Sequence, residues 1–198
     1  MSNQSENKRE HGLFQENIWN VPNALTMLRI ALIPVYWYLM MTDQRRAALA
    51  VFIVASLTDL ADGYIARKYS LITNFGKLMD PLADKIMSVS VMLSLAIKGI
   101  VPWAALLILL VKELLMFLGG IVLLKKGIVT SAIWIGKLAQ TVVVTSLIVC
   151  FFHEELAALG FPLHLWLLWL GVALTLTALC VYTVRAIRKL RDANADNA

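Results

Sequence analysis

Four aspartates lie close together in the sequence, at spacings that suit the faces of helices. Asp59 and Asp62 are three residues apart, and Asp80 and Asp84 are four residues apart. Residues three or four apart in an α-helix share a face, so each pair would present two carboxylates side by side. Clustered carboxylates suit hard divalent cations such as Mg²⁺ and Mn²⁺. Because two bridged metal ions are a recurring device for displacement at phosphorus, the pattern predicts metal-assisted chemistry on a phosphate ester.

The segments that carry these aspartates belong to a strongly apolar chain. Of its 198 residues, 60% are hydrophobic and 16% are charged, whereas a soluble domain has about 25% charged residues. Runs of about 20 apolar residues match the bilayer hydrocarbon when they are helical. The strict alternation of barrel strands is missing. We therefore predict an all-α integral membrane protein with six transmembrane helices, at roughly 24–41, 47–66, 77–97, 102–124, 131–152 and 161–184.

The six spans form one predicted domain at 18–190, between a polar N-terminal tail at 1–17 and a polar C-terminal tail at 191–198. Phe14, Ile18 and Trp19 make a short apolar patch before the first span, which predicts a small interfacial helix.

Lysine and arginine are distributed unevenly between the two sides of the membrane. If the N-terminus is cytoplasmic, the outer loops carry three basic residues (Arg45, Arg46 and Lys98) and the inner loops and tails carry ten. This bias predicts a protein of the cytoplasmic membrane with both termini and the aspartates facing the cytoplasm. The net charge of +5 then reflects topology and contact with membrane lipids, and we expect no nucleic-acid partner. The ten inner residues are Lys8, Arg9, Arg67, Lys68, Lys125, Lys126, Arg185, Arg188, Lys189 and Arg191.

Acidic residues within spans also occur in transporters, so an acid-lined ion or proton transporter is the alternative from a different functional class. Transporters usually place such residues near the bilayer midplane and often consist of repeated halves. In this chain the acidic cluster lies near one membrane face, and no internal repeat is visible.

Together these residues read DLADGYIAR from Asp59 to Arg67, then eight residues, then GKLMDPLAD from Gly76 to Asp84. This resembles the signature DxxDGxxAR-x8-GxxxDxxxD of the CDP-alcohol phosphatidyltransferase family, with every fixed position matched. The resemblance implies a homodimer of six-helix protomers, each with a polar cavity open to the cytoplasm. Two Mg²⁺ or Mn²⁺ ions and a CDP-diacylglycerol donor are implied as well.

The family also implies a role for each matched residue. Asp59 and Asp80 would each bind both metal ions, Asp62 the first and Asp84 the second. Asp84 would also be the catalytic base that takes the proton from the attacking hydroxyl. The implied contacts with CDP-diacylglycerol are Asn23, Ala24, Leu25, Thr26, Gly63, Arg67 and Thr73.

The acceptor is indicated by two further stretches, 23–29 and 134–140, which resemble phosphatidylglycerophosphate synthases of this family. Their acceptor is glycerol 3-phosphate, and Lys137, Lys112 and Arg29 would bind it. Those synthases usually carry Arg-Glu where this chain has Lys112-Glu113. The two adjacent side chains point about 100° apart on a helix and need not pair with each other. Cardiolipin synthase, with phosphatidylglycerol as acceptor, is the alternative.

Overall fold

The computed structural model describes residues 20–69, 73–126, 134–157 and 160–195. Within these ranges the secondary structure is helical throughout: α1 (Val21–Met41), α2 (Arg45–Lys68), α3 (Asn74–Ile97), α4 (Trp103–Lys125), α5 (Trp134–Cys150), α6 (His153–Ala157) and α7 (Leu163–Ala195). The chain divides into two compact units, the first ending at Val91 and the second beginning at Met92.

The first helix begins at a well-defined cap. The side chain of Asn20 accepts a hydrogen bond from the backbone N–H of Asn23, with 2.9 Å between donor and acceptor, and Pro22 lies in the first turn. Both features are typical of helix starts, because an unpaired N–H is either satisfied or absent. These signals define where α1 begins.

The first unit is built on a tight hairpin of α1 and α2. Residues 42–44 connect the two helices, and Asp43 adopts a left-handed backbone conformation with φ of 56°. Such a short connection makes the two helices antiparallel neighbours, and they pack against each other. Tyr36 on α1 and Phe52 on α2 are among the largest fully buried side chains of the hairpin.

In the second unit α5 and α4 each pack against α7. Gly171 lies at a close approach of α5 and α7, because a Cβ atom there would lie 2.9 Å from Cγ2 of Val143 and 3.3 Å from its backbone nitrogen. Small residues at such positions allow membrane helices to pack tightly. Leu147 on α5 and Leu168 on α7 are fully buried in this unit.

Four of the described helices are long and apolar enough to cross a membrane: Val21–Met41, Arg45–Ala66, Trp103–Leu123 and Leu163–Arg191. Of the most apolar stretch of α4, only 11% is buried within the protein. An apolar surface of this extent is rare on soluble monomers and suits contact with lipid. The prediction of an all-α membrane protein is confirmed.

The predicted number of six spans is met in part. The helices α3 and α5 correspond to the spans predicted at 77–97 and 131–152, but α3 carries charges in its first half and α5 has 17 residues. The helix that corresponds to the sixth predicted span, α7, has 33 residues and continues past the predicted span end at 184 as far as Ala195. The N-terminal tail and the interfacial helix predicted at its end lie outside the described residues.

Candidate active site

The first pair of aspartates lies near the C-terminal end of α2. Asp59 and Asp62 are three residues apart on this helix, and their environments differ. Asp62 is fully buried, with 2% exposure, whereas the side chain of Asp59 is 37% exposed. Burying an ionised carboxylate is costly unless a cation or hydrogen-bond donors compensate it.

The compensating cation is Arg29 of α1, whose side chain is 1% exposed. Its Nη1 lies 2.9 Å from Oδ1 of Asp59, and its Nη2 donates to Oδ2 of Asp62 over 2.5 Å. The planar guanidinium therefore bridges the two carboxylates of α2, a geometry for which arginine is better suited than lysine.

The start of α3 is attached to α1 by a chain of hydrogen bonds. The backbone N–H of Gly76 donates to Oγ1 of Thr73 over 3.0 Å, and this hydroxyl donates to Oδ1 of Asn23 over 3.1 Å. Thr73 thus caps α3 and connects it to the first turn of α1. Gly76 is required by the close approach, since a Cβ atom there would lie 2.8 Å from Oδ1 of Asn23.

The second pair of aspartates lies in the first half of α3. The hydroxyl of Thr26, a fully buried residue of α1, donates to Oδ1 of Asp80 and also lies 3.2 Å from the carbonyl oxygen of Pro22. Asp84 is half-buried one turn after Asp80. Pro81, between them, lacks an N–H and so leaves one hydrogen bond of α3 unmade.

Three residues of α1 therefore contact the two helices that carry the aspartates, α2 and α3. Asn23, Thr26 and Arg29 follow one another at intervals of three residues, so they lie along one side of α1. We call these three the α1 stripe. It contacts the start of α3 through Asn23, Asp80 through Thr26, and both aspartates of α2 through Arg29.

The site is strongly acidic despite Arg29. One guanidinium contacts the carboxylates of Asp59 and Asp62, and the contact described for Asp80 is with a neutral hydroxyl, so the acidic groups of the site outnumber this cation. The oxygen donors of these groups fit a divalent cation in chemical type. In the arrangement described, however, no three carboxylate, imidazole or thiolate groups among the described residues converge to hold one metal ion. The contacts from the α1 stripe engage one oxygen each of Asp59, Asp62 and Asp80.

The residues predicted to contact the donor divide into those within this network and those beside it. Asn23, Thr26 and Thr73 are buried in it, whereas Ala24 is exposed and Leu25 and Gly63 are half-buried. The side chain of Arg67 lies outside the described part of the structure. Binding of CDP-diacylglycerol by these residues stays a prediction.

Two of the residues predicted to bind the acceptor belong to the second unit. Lys137 is exposed near the start of α5. Lys112, on α4, forms an ion pair with Glu113, with 2.8 Å between Nζ and Oε1. The sequence left this pairing open, and it forms because a long flexible lysine side chain can reach across the angle that separates adjacent residues. Their contact with an acceptor, and that of Arg29, stays a prediction.

The link between Arg29 and the aspartates of α2 was missed from the sequence. The signal for it was present, because the α1 stripe repeats polar residues every three positions through a helix that is otherwise apolar. Such a pattern predicts one polar face but not the helix against which that face packs.

The sequence was then compared with known proteins. The model of the CDP-alcohol phosphatidyltransferase family matches residues 19–177. A Bacillus subtilis protein named CDP-diacylglycerol--glycerol-3-phosphate 3-phosphatidyltransferase is 32% identical over 195 residues, which cover 89% of this chain and 100% of that protein. A Mycoplasma genitalium protein of the same name is 32% identical over 73% of this chain and 66% of its own length. Another, from Rickettsia bellii, is 44% identical over 48% of this chain and 55% of its own length.

Proposed function

Because the chain belongs to the CDP-alcohol phosphatidyltransferase family, we propose that it transfers the phosphatidyl group of CDP-diacylglycerol to glycerol 3-phosphate. The products would be phosphatidylglycerophosphate and CMP. The observation that carries the proposal is the similarity to the Bacillus subtilis protein, which is named for this reaction and is covered over its whole length. The chain is an integral membrane enzyme of phospholipid synthesis.

In this reaction one bond to phosphorus forms and another breaks. The hydroxyl oxygen of glycerol 3-phosphate attacks the phosphorus that carries the diacylglycerol, and the bond from that phosphorus to the CMP oxygen breaks. We propose Asp84 as the base that accepts the hydroxyl proton, since an ionised carboxylate can act as a general base when it is within hydrogen-bond reach. Much of the acceleration would come from holding the reacting atoms in position.

We propose two Mg²⁺ or Mn²⁺ ions as cofactors, held by Asp59, Asp62, Asp80 and Asp84. Enzymes of this family generally depend on divalent metals, and the oxygen donors of the site are of the type that such ions prefer. Bound divalent cations would supply positive charge to the diphosphate of the donor.

The substrate contacts are proposed in two groups. For CDP-diacylglycerol we propose seven residues of the first unit: Asn23, Ala24, Leu25, Thr26, Gly63, Arg67 and Thr73. For the phosphate of glycerol 3-phosphate we propose Lys137 and Lys112, because a phosphate dianion is bound best by fixed cationic donors. The six transmembrane spans, a homodimer, and an active site that faces the cytoplasm are also part of the proposal. Their support is the family and the distribution of basic residues.

Release of CMP from a panel of acceptors tests the proposed reaction. Purified protein in mixed micelles with CDP-diacylglycerol and Mn²⁺ would be given glycerol 3-phosphate, phosphatidylglycerol, inositol phosphate or serine in turn. We expect CMP release to be fastest by far with glycerol 3-phosphate. The variant Asp80→Asn, purified in the same way, is the control for enzymes carried over from the expression host.

Two other outcomes would contradict the proposal in different ways. Faster turnover with phosphatidylglycerol would identify a cardiolipin synthase with the same chemistry. No CMP with any acceptor would reject phosphatidyl transfer altogether.

A further inference from the structure

Arg29 is an unusual residue for the interior of a transmembrane helix. Within the described part of the chain, its ion pairs are with Asp59 and Asp62, whereas its Nε and Nη1 have no hydrogen-bond partner, so the contact of Nη1 with Asp59 is an ion pair only. Charged groups inside membrane proteins are costly, so they usually have a specific task. Because the ion pairs of Arg29 are with these two carboxylates, its task concerns them rather than the surrounding apolar residues.

Asp59 and Asp62 are also two of the four aspartates that we propose as metal ligands, so a divalent cation and Arg29 depend on the same carboxylates. Coulomb energy depends on the product of the charges and on their separation. A guanidinium within 2.9 Å of both carboxylates cancels part of their attraction for a metal ion and repels that ion directly. Salt screens this repulsion little, because Arg29 and Asp62 are buried.

We propose that Arg29 is a built-in counter-cation that competes with divalent metal ions for Asp59 and Asp62. Without metal, Arg29 keeps the acidic pair compensated and the hairpin of α1 and α2 folded. When metal binds, the guanidinium gives up part of its contact with the carboxylates. Arg29 therefore weakens metal binding and makes folding of the first unit less dependent on metal.

An orienting role would have the opposite effect on metal affinity. Groups that hydrogen-bond to metal-ligating carboxylates commonly hold them in place, and their loss weakens metal binding by about 10–100-fold. The sign of the change on removal of Arg29 therefore separates competition from orientation. Competition is favoured here because Arg29 carries a full positive charge and approaches two ligands at once.

The test is Mn²⁺ binding to purified Arg29→Gln, followed by electron paramagnetic resonance of the unbound ion, without substrate. We expect Arg29→Gln to bind Mn²⁺ at least about tenfold more tightly than the unsubstituted protein, since a full charge has been removed beside the ligands. We also expect its thermal midpoint to fall in EDTA and to recover with Mn²⁺. Arg188→Gln, which removes the same charge from an exposed position of α7, should change neither quantity.

A second variant covers the case in which Arg29→Gln does not fold. Arg29→Lys keeps the charge but cannot bridge two carboxylates, so its Mn²⁺ affinity should lie between those of the unsubstituted protein and Arg29→Gln. Weaker or unchanged Mn²⁺ binding in the variants that fold would overturn the proposal. The proposal rests on the proposed function only for the use of these aspartates as metal ligands. Because Mn²⁺ binding is measured without substrate, its result can be interpreted even if no acceptor in the panel gives CMP release.

Discussion

Three of the four signature aspartates contact named side chains of α1. Asp59 and Asp62 contact Arg29, and Asp80 accepts a hydrogen bond from Thr26. Asp84 lies half-buried one turn beyond Asp80 on α3. Its proposed role as the base rests on the family signature that it completes.

Replacement of Asp84 by asparagine tests its proposed role as the base. An amide cannot accept the hydroxyl proton, so we expect CMP release by Asp84→Asn to fall by at least about 10²-fold. Binding of CDP-diacylglycerol, measured separately, should change much less. The control is Asp43→Asn in the connection between α1 and α2, where asparagine tolerates the left-handed backbone as well as aspartate does. Turnover of Asp84→Asn close to that of the control would refute the role.

At the scale of helices, the α1 stripe orders the site because α3 approaches it closely at one point. Gly76 has no side chain, and the carbonyl oxygen of the Asn23 side chain fills the space that a methyl group would need. That oxygen accepts a hydrogen bond from the hydroxyl of Thr73, which itself caps α3 by accepting from the backbone N–H of Gly76. Moving the oxygen aside would therefore break the link between this cap and α1. The hydrogen bonds between Thr73 and Asn23 and between Gly76 and Thr73 therefore connect the start of α3, the helix that carries Asp80, to α1.

Gly76→Ala should be destabilising for this reason. The added Cβ would lie 2.8 Å from Oδ1 of Asn23 and 3.2 Å from Oγ1 of Thr73. Overpacking of this kind typically costs about 1–3 kcal/mol, and we expect a lower thermal midpoint in detergent together with slower CMP release. Gly120→Ala on α4 is the matched control, because nothing lies within 4 Å of its added Cβ. Equal midpoints for the two variants would show that the close approach has no energetic importance.

At the scale of the whole molecule, the orientation in the membrane can be tested from two connections. Lys98 follows α3 and Lys126 follows α4, and both are exposed. Starting from a variant in which Cys150 and Cys180 are alanine, we expect Lys98→Cys to react with a membrane-impermeant thiol reagent added to intact cells. Lys126→Cys should react only after the cells are permeabilised, because the distribution of basic residues predicts that this connection faces the cytoplasm. The reverse labelling pattern would show that the predicted orientation is inverted.

Most of the helices could be predicted from apolar runs alone. The second span, predicted at 47–66, corresponds to α2 at Arg45–Lys68, and the third, predicted at 77–97, corresponds to α3 at Asn74–Ile97. Hydropathy works well here because lipid forces the backbone to satisfy its own hydrogen bonds within each helix. It failed at the end of α7, which remains helical beyond the apolar run, where the sequence is polar and helix formation no longer depends on lipid.

For the candidate site, the sequence predicts which residues share a face of one helix, but not which helix that face contacts. Spacing placed Asp59 beside Asp62 and Asp80 beside Asp84, since that relation lies within one helix. The partner of Arg29 depends on how α1 is rotated against α2, which is set by packing along the whole hairpin. The ion pair of Lys112 with Glu113 was left open for a different reason, because angular position on a helix does not limit the reach of a long side chain.

The pairing of Arg29 with Asp59 and Asp62 also constrains how the protein is made. Alone in lipid, α1 would expose an arginine and α2 would expose two aspartates, and a charged residue opposes insertion by up to about 2.5–3.5 kcal/mol, the value at the centre of a span. Once the hairpin closes, these charges face one another and the opposition is largely removed. With three residues, 42–44, between the helices, α2 leaves the ribosome directly after α1. The two helices should therefore enter the bilayer together as a preformed hairpin rather than one after the other.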